Sequence, residues 1–414
     1  MTDSVSIAEA PAADRASLLA PLRVRNFRNL WLGQGISLVG DQFKFVALSW
    51  LVLSLTGRSG ALGTVLMLQA IPRSILMLMG GVASDRLRPR TMMLFSDTFR
   101  ALVVGSIAVL TATGRITMPH LYGLALLFGI VHAFFFPAAS AITPELVPAD
   151  LLRPANAVNQ VTNQIVLAAA PALAGFVIAR VGTAGGFAVD ATSFLISALF
   201  LLLIVPPSRP TPRTQSPWRD FVDGVSFVRQ RPLLLTMIVM ASVFFFGYAG
   251  ATYVGLPVLV KGPFASGPAA LGILFSAYGG GALVGGILGG TFAGRRRGLL
   301  GALLIGGTGI SMMGIAATRH LWQAAVLLFL SGALLSWVGI TFITLIQQLA
   351  DRAYMGRVMG MFMFGIYGLY PLSYGLAGWI AEFVGVRTLF VLGGAMIMTS
   401  ALLGLTVKDL RRLD

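Results

Sequence analysis

Two charged side chains lie three residues apart within a long apolar stretch near the start of the chain, GISLVGDQFKFVALSW (35–50). They are the carboxylate of Asp41 and the amine of Lys44. Residues three apart share one face of a helix, so these two groups can interact. An intramembrane carboxylate can bind and release a proton, and nearby cations and burial shift its proton affinity in opposite directions. The pair is a candidate proton site or, alternatively, a permanent ion pair.

A third charge, Arg73, is predicted to lie at a similar depth. Asp41 follows Phe27 by 14 residues, roughly 21 Å of helix, and Arg73 precedes Asp85 by 12 residues, roughly 18 Å. A charge at the centre of a bilayer costs roughly 2.5–3.5 kcal/mol on insertion scales, so such groups usually face the protein interior and find partners. We therefore expect Asp41, Lys44 and Arg73 to form one network, which either couples protons to transport or fixes two helices together.

The composition predicts that these charges are carried by membrane-spanning helices. Of 414 residues, 56% are hydrophobic and 11% are charged, against about 25% charged residues in an average soluble domain. The net charge of +15 does not indicate a nucleic-acid partner, because the basic residues form short clusters between apolar runs. Cys is absent and only three His occur, so we expect no metal site and no cofactor.

Twelve apolar segments are long enough to cross a bilayer, which takes about 20 helical residues. Lys and Arg are much more frequent in the N-terminal arm, the tail and the loops after even-numbered segments than in the other loops. This bias predicts that both termini are cytoplasmic in a multi-pass protein of the inner (plasma) membrane. No cleavable signal peptide is evident in residues 1–22. The segments lie near 28–54, 60–84, 92–113, 118–143, 155–180, 184–206, 233–257, 268–292, 297–318, 321–347, 357–383 and 386–407.

The two halves of the chain resemble each other. GVASDRLR (81–88) follows the second segment and GTFAGRRR (290–297) follows the eighth. Parallel six-helix repeats are one known transporter architecture. We therefore predict an all-α integral membrane protein in which twelve transmembrane helices form two six-helix pseudo-repeats around a central cavity. Its predicted parts are an N-terminal arm (1–27), a first bundle (28–206), a linker with an amphipathic helix (207–232), a second bundle (233–407) and a tail (408–414).

The sequence GVASDRLRPR (81–90) resembles the signature loop of the major facilitator superfamily. Gly81, Asp85, Arg86 and Arg90 fall on that pattern, whereas Arg88 and Pro89 depart from it. From about residue 23 onward the chain is similar to the drug:proton antiporter branch, which includes macrolide efflux permeases and the enterobactin exporter. The matching stretches include RNFRNLWLGQGISLVGDQF (25–43), PELVPADLLRPAN (144–156) and MGRVMG (355–360).

The resemblance implies roles for two motifs. Asp85 and Arg86 would latch the halves shut on the cytoplasmic side; the alternative is a loop that only orients the protein by its positive charge. We expect Asp97 and Arg100 to be structural and joined to this latch. Pro171 and Gly175, in APALAG (170–175), resemble a weakened antiporter motif, although small residues there also suit simple helix packing.

Polar and aromatic residues within the segments are candidates for the substrate path. An amide stripe in the fifth segment either lines this path or forms an interhelical seam, and His132 either relays protons or packs within a hydrogen-bonded core. Asp190 and Glu382 lie near predicted outer helix ends, where they can reach water, and we expect a surface or packing role for each. The candidate path residues are Gln34, His132, Asn156, Asn159, Asn163, Tyr367, Tyr370 and Tyr374.

These features together predict a monomeric secondary transporter that works by alternating access. The resemblance favours a proton-coupled antiporter that exports a small amphipathic molecule, such as a drug, a macrolide-like compound or a siderophore. Proton-coupled uptake of a metabolite is the alternative transport direction. No ATP-binding loop is present, because none of the three lysines follows a glycine. We do not expect an enzyme, although an intramembrane carboxylate enzyme is the alternative from another class.

Overall fold

The computed structural model describes residues 18–86, 88–205, 225–291, 296–351 and 354–413, without the side chains of 77–86 and 136. Within these ranges every regular element is a helix. The N-terminal arm before residue 18, the linker residues 206–224 and Asp414 lie outside the described residues.

The first half of the chain forms five long helices, the last of which contains two spans. It breaks at Gly182, where φ is 76° and ψ is 177°, a conformation that glycine adopts readily and L-residues rarely adopt. The chain reverses there, so this helix has two antiparallel arms. The helices are α1 (Arg25–Thr56), α2 (Ser59–Arg86), α3 (Pro89–Ala112), α4 (Met118–Leu146) and α5 (Leu152–Leu202).

The second half is also helical, and its described residues include two π-helical turns, at Ala251–Gly255 and Ala381–Gly385. Its helices are α6 (225–229), α7 (Pro232–Gly250), α8 (Leu256–Lys261), α9 (Pro268–Thr291), α10 (Arg297–Ala317), α11 (Leu321–Leu349), α12 (Met355–Tyr367), α13 (Tyr370–Ile380), α14 (Val386–Thr406) and α15 (Lys408–Arg411).

The helices are compatible with twelve membrane spans. Nine helical stretches of the described chain are long and apolar enough to cross a membrane. Two of these, Ala149–Leu202 and Met355–Thr406, run for 54 and 52 residues and turn at Gly182 and Gly385, both with positive φ. The 28-residue helix α2 is also long enough to span. The protein is therefore an all-helical, multi-pass membrane protein.

The start of α1 and the end of α14 lie at the same end of the bundle, which we call the terminal face. Near the start of α1, Asn26 accepts a hydrogen bond of 3.2 Å from the backbone of Val205 at the end of α5. In the second half, Gly298 at the start of α10 donates to the carbonyl of Leu413. The opposite end, which carries the α1–α2 turn at Gly57, is called the far face.

The halves pack closely toward the far face, where glycines let helix backbones meet. A Cβ on Gly63 of α2 would lie 2.5 Å from the carbonyl oxygen of Tyr374 on α13. A Cβ on Gly272 of α9 would overlap the carbonyl oxygen of Pro171 on α5. Small residues permit this approach in membranes, where helix association depends on packing rather than on the hydrophobic effect.

Only the end of the predicted amphipathic linker falls within the described residues. Helix α6 buries Val228 completely, and Phe227 stacks on Tyr354 with ring centroids 4.2 Å apart. Arg231 pairs with Asp351 at 2.8 Å. This part of the linker therefore packs on the second half of the protein, beside the start of α12.

Candidate functional site

A cavity of about 430 Å³ lies between the two halves, near the middle of the spans. The first half contributes α1 and α2 to its wall, and the second half contributes α7, α9, α11, α12 and α13. The lining residues are Phe45, Leu66, Gln69, Ala70, Arg73, Ser74, Phe245, Tyr248, Tyr253, Tyr278, Leu335, Tyr367, Tyr370 and Tyr374.

The three tyrosines predicted from the eleventh segment line this cavity together. Tyr367 and Tyr370 have ring centroids 5.3 Å apart, and Tyr370 and Tyr374 are 5.6 Å apart. The helix is interrupted between α12 and α13, and Pro371 in the first turn of α13 suits that restart, since proline lacks an N–H. The tyrosines nevertheless stay on one face.

Three other tyrosines of the cavity were missed in the sequence. Tyr248 and Tyr253 come from the seventh span, and Tyr278 comes from α9. Tyr248 and Tyr278 have ring centroids 6.0 Å apart, and Tyr253 packs edge-on against Tyr374 of α13. A signal was available, because a phenolic hydroxyl within an apolar span usually needs a polar neighbour. The cavity thus carries six phenolic rings.

Arg73 faces this cavity from α2. Its guanidinium carbon lies 5.3 Å from the ring centroid of Tyr367, which is within the range of a cation–π contact between the halves. Within the described part of the chain Arg73 makes no ion pair with Asp41. The predicted three-residue network is therefore incomplete in this structure, because α2 turns Arg73 toward the second half.

Asp41 and Lys44 do form the predicted pair. Lys44 Nζ donates to Asp41 Oδ1 at 2.7 Å. The side chain of Lys44 is 11% exposed, and that of Asp41 is 24% exposed. The ammonium also lies 3.6 Å from the ring centroid of Phe128 on α4. The pair lies inside the first half, and the residue after Lys44, Phe45, lines the cavity.

A second ion pair, Asp97 with Arg100 on α3, is fully buried at 0% and 1% exposure. Ser197 on the second arm of α5 donates to Asp97 at 2.7 Å. Arg100 also lies 3.5 Å from Nδ1 of His132 and 4.1 Å from the ring centroid of Phe135. This cluster holds α3, α4 and α5 together, and His132 belongs to it rather than to the cavity lining.

The predicted gate motif is described only in part. The side chains of Asp85 and Arg86 and the surroundings of Gly81 are outside what the structure describes, so the latch stays a prediction. Arg90 donates to the carbonyls of Leu201 and Leu202 at 2.8 and 3.0 Å. It therefore caps the C-terminal end of α5, where helix carbonyls lack partners.

The amide stripe faces open space on the terminal half of α5. Asn156 and Asn163 are exposed, and Asn159 is half-buried. Val161 and Ile165, which are 45% and 53% exposed, occupy a different face of the helix. An apolar face of this kind suits lipid, so the separate amide face suits water between the halves. Gln34 on α1 is half-buried. Neither Gln34 nor any of the three asparagines lines the cavity.

Pro171 and Gly175, the antiporter-like residues, lie at the contact between the halves. A Cβ on Gly175 would be 2.6 Å from the carbonyl oxygen of Pro268 at the start of α9. The buried Pro171 presents its carbonyl to Gly272 of the same helix. These positions therefore permit the close packing of α5 on α9.

Two acidic residues predicted near outer helix ends have different surroundings. Asp190 does not reach water; its side chain is completely buried in the packing, because α1 and the second arm of α5 pack closely at Gly40. Glu382 lies in the turn at the far face and remains 17% exposed. The hydrogen bond from Arg58 holds the pKa of Glu382 below its usual range.

Two helical halves that enclose a cavity and carry charged residues inside their spans define a membrane transporter. The chain belongs to the transmembrane secretion effector family of the major facilitator superfamily, whose model matches residues 16–414. This confirms the resemblance seen in the sequence and places the protein among transporters rather than enzymes.

Two relatives and one solved structure illustrate the similarity. Macrolide efflux protein A of Streptococcus pyogenes is 24% identical over 401 residues, covering 94% of this chain and 97% of the relative. The enterobactin exporter EntS of Citrobacter koseri is 27% identical over 396 residues, covering 93% and 92%. The nucleoside transporter NupG has the same fold, with a TM-score of 0.72 at 15% identity over 92% of this chain and 98% of that one.

Proposed function

We propose that this protein is a proton-coupled antiporter that exports a small amphipathic, aromatic molecule by alternating access. The observation that carries the proposal is the cavity between the halves, which holds six tyrosines and Arg73. Ligand pockets that are mainly apolar with a few polar groups are typical of small-molecule sites. Relatives named as macrolide and enterobactin exporters support the export direction.

The proposed orientation places the terminal face in the cytoplasm. This follows from the bias of Lys and Arg toward the loops on that side. In that orientation the structure is inward-facing: α5 meets α9 and α2 meets α13 toward the far face, while the amides of α5 face open space on the cytoplasmic half. A substrate would enter from the cytoplasm along these amides and reach the tyrosines.

The charge in the cavity favours some amphipathic molecules over others. Arg73 lies across from Tyr367 and carries the positive charge of the cavity, and none of the described lining residues is a carboxylate. A cationic compound would meet unfavourable repulsion there, whereas a neutral or anionic aromatic compound would not. We therefore expect phenolic or acidic aromatic compounds to be preferred over cations of the same size.

Asp41 is the proposed site of proton coupling. Its side chain is 24% exposed, and Oδ1 lies 2.7 Å from the ammonium of Lys44. Protonation of Asp41 would release Lys44, and departure of the proton would restore the pair. Because Lys44 immediately precedes Phe45 of the cavity wall, this exchange can be transmitted to the substrate site.

The test is proton-driven transport in inside-out membrane vesicles. A panel should contain a macrolide, a catecholate siderophore, a neutral aromatic dye and the cationic dye ethidium. The wild type should concentrate at least one compound when a proton gradient is imposed, and Asp41→Asn should lose this accumulation. Asp409→Asn removes an exposed carboxylate at the terminal face and should transport normally.

Three results would contradict the proposal in different ways. Full proton-driven accumulation by Asp41→Asn would remove the coupling role from Asp41. Concentration only in right-side-out vesicles would indicate uptake instead of export. Flux that ignores the proton gradient would indicate a passive pathway.

A further inference from the structure

Asp190 is a buried carboxyl group whose side chain has no hydrogen-bond partner among the described residues. It lies on the second arm of α5 and is 0% exposed. Within the described residues neither of its carboxylate oxygens has a hydrogen-bond partner. Ser193, one turn away, donates to the backbone carbonyl of Asp190 at 2.7 Å and not to its side chain. An ionised carboxylate is strongly disfavoured in such surroundings, whereas the neutral acid is tolerated.

The side chain of Asp190 lies against α1 at the level of the Asp41–Lys44 pair. A Cβ on Gly40 would be 2.7 Å from Asp190 Oδ1, so the carboxyl group rests on the backbone of α1. Lys44 is one turn above Gly40 on the same face, and helical side chains point back toward the N-terminus of their helix. Its ammonium is thereby brought toward the level of Gly40.

One aromatic ring near Asp190 is approached by cations of two other helices. Lys44 Nζ lies 6.0 Å from the ring centroid of Phe194, and Phe194 is one turn from Asp190 on α5. The guanidinium carbon of Arg100 lies 4.3 Å from the centroid of the same ring. The charged groups facing Asp190 are thus Asp41 and Lys44 of α1 and Arg100 of α3; beyond Arg100 lie its partners Asp97 and His132.

The cations of this cluster are already bound to other carboxylates. Lys44 is paired with Asp41, and Arg100 is paired with Asp97. Asp190 is the third carboxylate and is left without a cation. An ionised Asp190 would therefore be a buried carboxylate without a paired cation, which is energetically costly.

We propose that Asp190 is a second proton-binding group, which holds a proton whenever Lys44 is paired with Asp41. When the Lys44 ammonium turns to Asp190, the Asp190 proton leaves and the freed Asp41 carboxylate takes one up. The cluster then contains one neutral acid in both states, and the side chain of Lys44 decides which carboxyl group holds the proton. The role of this exchange in transport rests on the proposed proton coupling, but the proton on Asp190 does not.

Infrared spectroscopy of the purified full-length protein in dodecyl maltoside micelles, whose detergent has no carbonyl group, tests this directly. A protonated carboxyl group has a C=O stretching band that a carboxylate lacks. At neutral pH the wild type should show this band, and Asp190→Asn should lack it. Asp41→Asn should lack it as well, because the released Lys44 moves to Asp190 and stabilises its ionised form.

Controls separate this effect from general damage. Asp351→Asn removes an exposed carboxylate that is paired with Arg231, so the band should be unchanged. Asp190→Asn closely matches the neutral acid in shape, so its melting temperature should stay near that of the wild type. A melting temperature that falls in Asp190→Asn as far as in Asp97→Asn would contradict a neutral Asp190.

The infrared outcomes are distinct from those of the transport assay. A band that persists in Asp190→Asn, or a wild type without the band, would overturn the protonation of Asp190. A band that persists in Asp41→Asn would overturn the exchange of Lys44. No transported compound is needed, so a failure of proton-driven export would refute the proposed function and leave the infrared result on Asp190 intact.

Discussion

Glu382 joins the two halves of the protein at the far face by binding Arg58. Its Oε1 lies 2.7 Å from both Nη2 and Nε of Arg58, and its Oε2 accepts a 2.7 Å hydrogen bond from the backbone N–H of Gly60. Lys261 adds a second connection by donating to Ser54 at 2.9 Å. The helix dipole also favours the carboxylate of Glu382 at this place, near the N-terminus of α2. These contacts fasten the far face in the conformation seen here.

Glu382→Gln should shift the protein toward states that are open at the far face. Hydrogen bonds to charged groups contribute about 1.5–3 kcal/mol, but Arg58 is 68% exposed, so screening reduces the effect to about 1 kcal/mol. The open population should therefore rise about fivefold. Spin labels on R115C and R319C, which are exposed near the far face of each half, would report the separation, and the native chain has no Cys to interfere.

The matched control is Asp351→Asn, which breaks a 2.8 Å ion pair with Arg231 within the second half. The label separation should not change in this variant. An equal shift in both variants would mean that the loss of any ion pair, and not the link between the halves, opens the far face.

Closure of the far face should weaken in acid. Because the hydrogen bond from Arg58 lowers the pKa of Glu382, the bound state favours the ionised carboxylate. The contribution of the ionised Glu382 to closure of the far face is complete above the ordinary pKa of glutamate. It is lost as the pH falls through the lowered pKa. The label separation measured from neutral to acidic pH should therefore increase in the wild type. Glu382→Gln should show no such titration, and a wild-type separation that is independent of pH would contradict this role of Glu382.

Arg73 should select substrates by charge. Arg73→Gln should weaken binding of an anionic aromatic compound by about tenfold, since a charge-assisted contact contributes about 1.5–3 kcal/mol, and should weaken a neutral analogue much less. Arg73→Lys keeps the positive charge but loses the planar stacking on Tyr367, so it should restore part of the affinity for the anion. Equilibrium binding to the protein in nanodiscs measures both. Equal losses for the anionic and neutral compounds would indicate that Arg73 only shapes the cavity.

The packing of α5 on α9 should depend on the absence of a side chain at Gly279. A Cβ there would overlap the carbonyl oxygen of Leu167 on α5. Gly279→Ala should therefore disfavour the present conformation and increase the label separation at the far face. Gly339→Ala has no atom within 4 Å of the added Cβ and should leave the separation unchanged. If both variants behave like the wild type, this contact does not hold the halves together.

The helical architecture was predictable because it depends on local properties of the sequence. Length and hydropathy of each apolar run define a span, whatever its neighbours are. The Asp41–Lys44 pair was predictable for the same reason, since a spacing of three residues alone brings the groups together. The three tyrosines of α12 and α13 also share a face through their spacing along one segment.

The features of the site that the sequence did not predict depend on how each helix is rotated against the others. The positions of Arg73 and Asp41 along their helices predict a similar depth. They do not predict that α2 directs Arg73 toward Tyr367 of the other half. Asp190 lies near a predicted helix end, where water is within reach, whereas close approach at Gly40 buries it. Both outcomes are set by contacts between residues far apart in the chain, which the pattern of a single segment does not encode.

Asp97→Asn should destabilise the protein more than any exposed carboxylate substitution. Asp97 is 0% exposed, and its removal leaves the buried guanidinium of Arg100 without its charged partner. Breaking a buried ion pair in this way costs about 3–5 kcal/mol. The thermal melting temperature should therefore fall clearly, whereas Asp351→Asn, whose carboxylate is 60% exposed, should change it little. Because the penalty comes from the unpaired charge, Arg100→Met combined with Asp97→Asn should recover much of the lost stability. A double variant as unstable as the single one would show that the packing of Arg100 on Phe135 and Phe194, rather than its charge, dominates at this position.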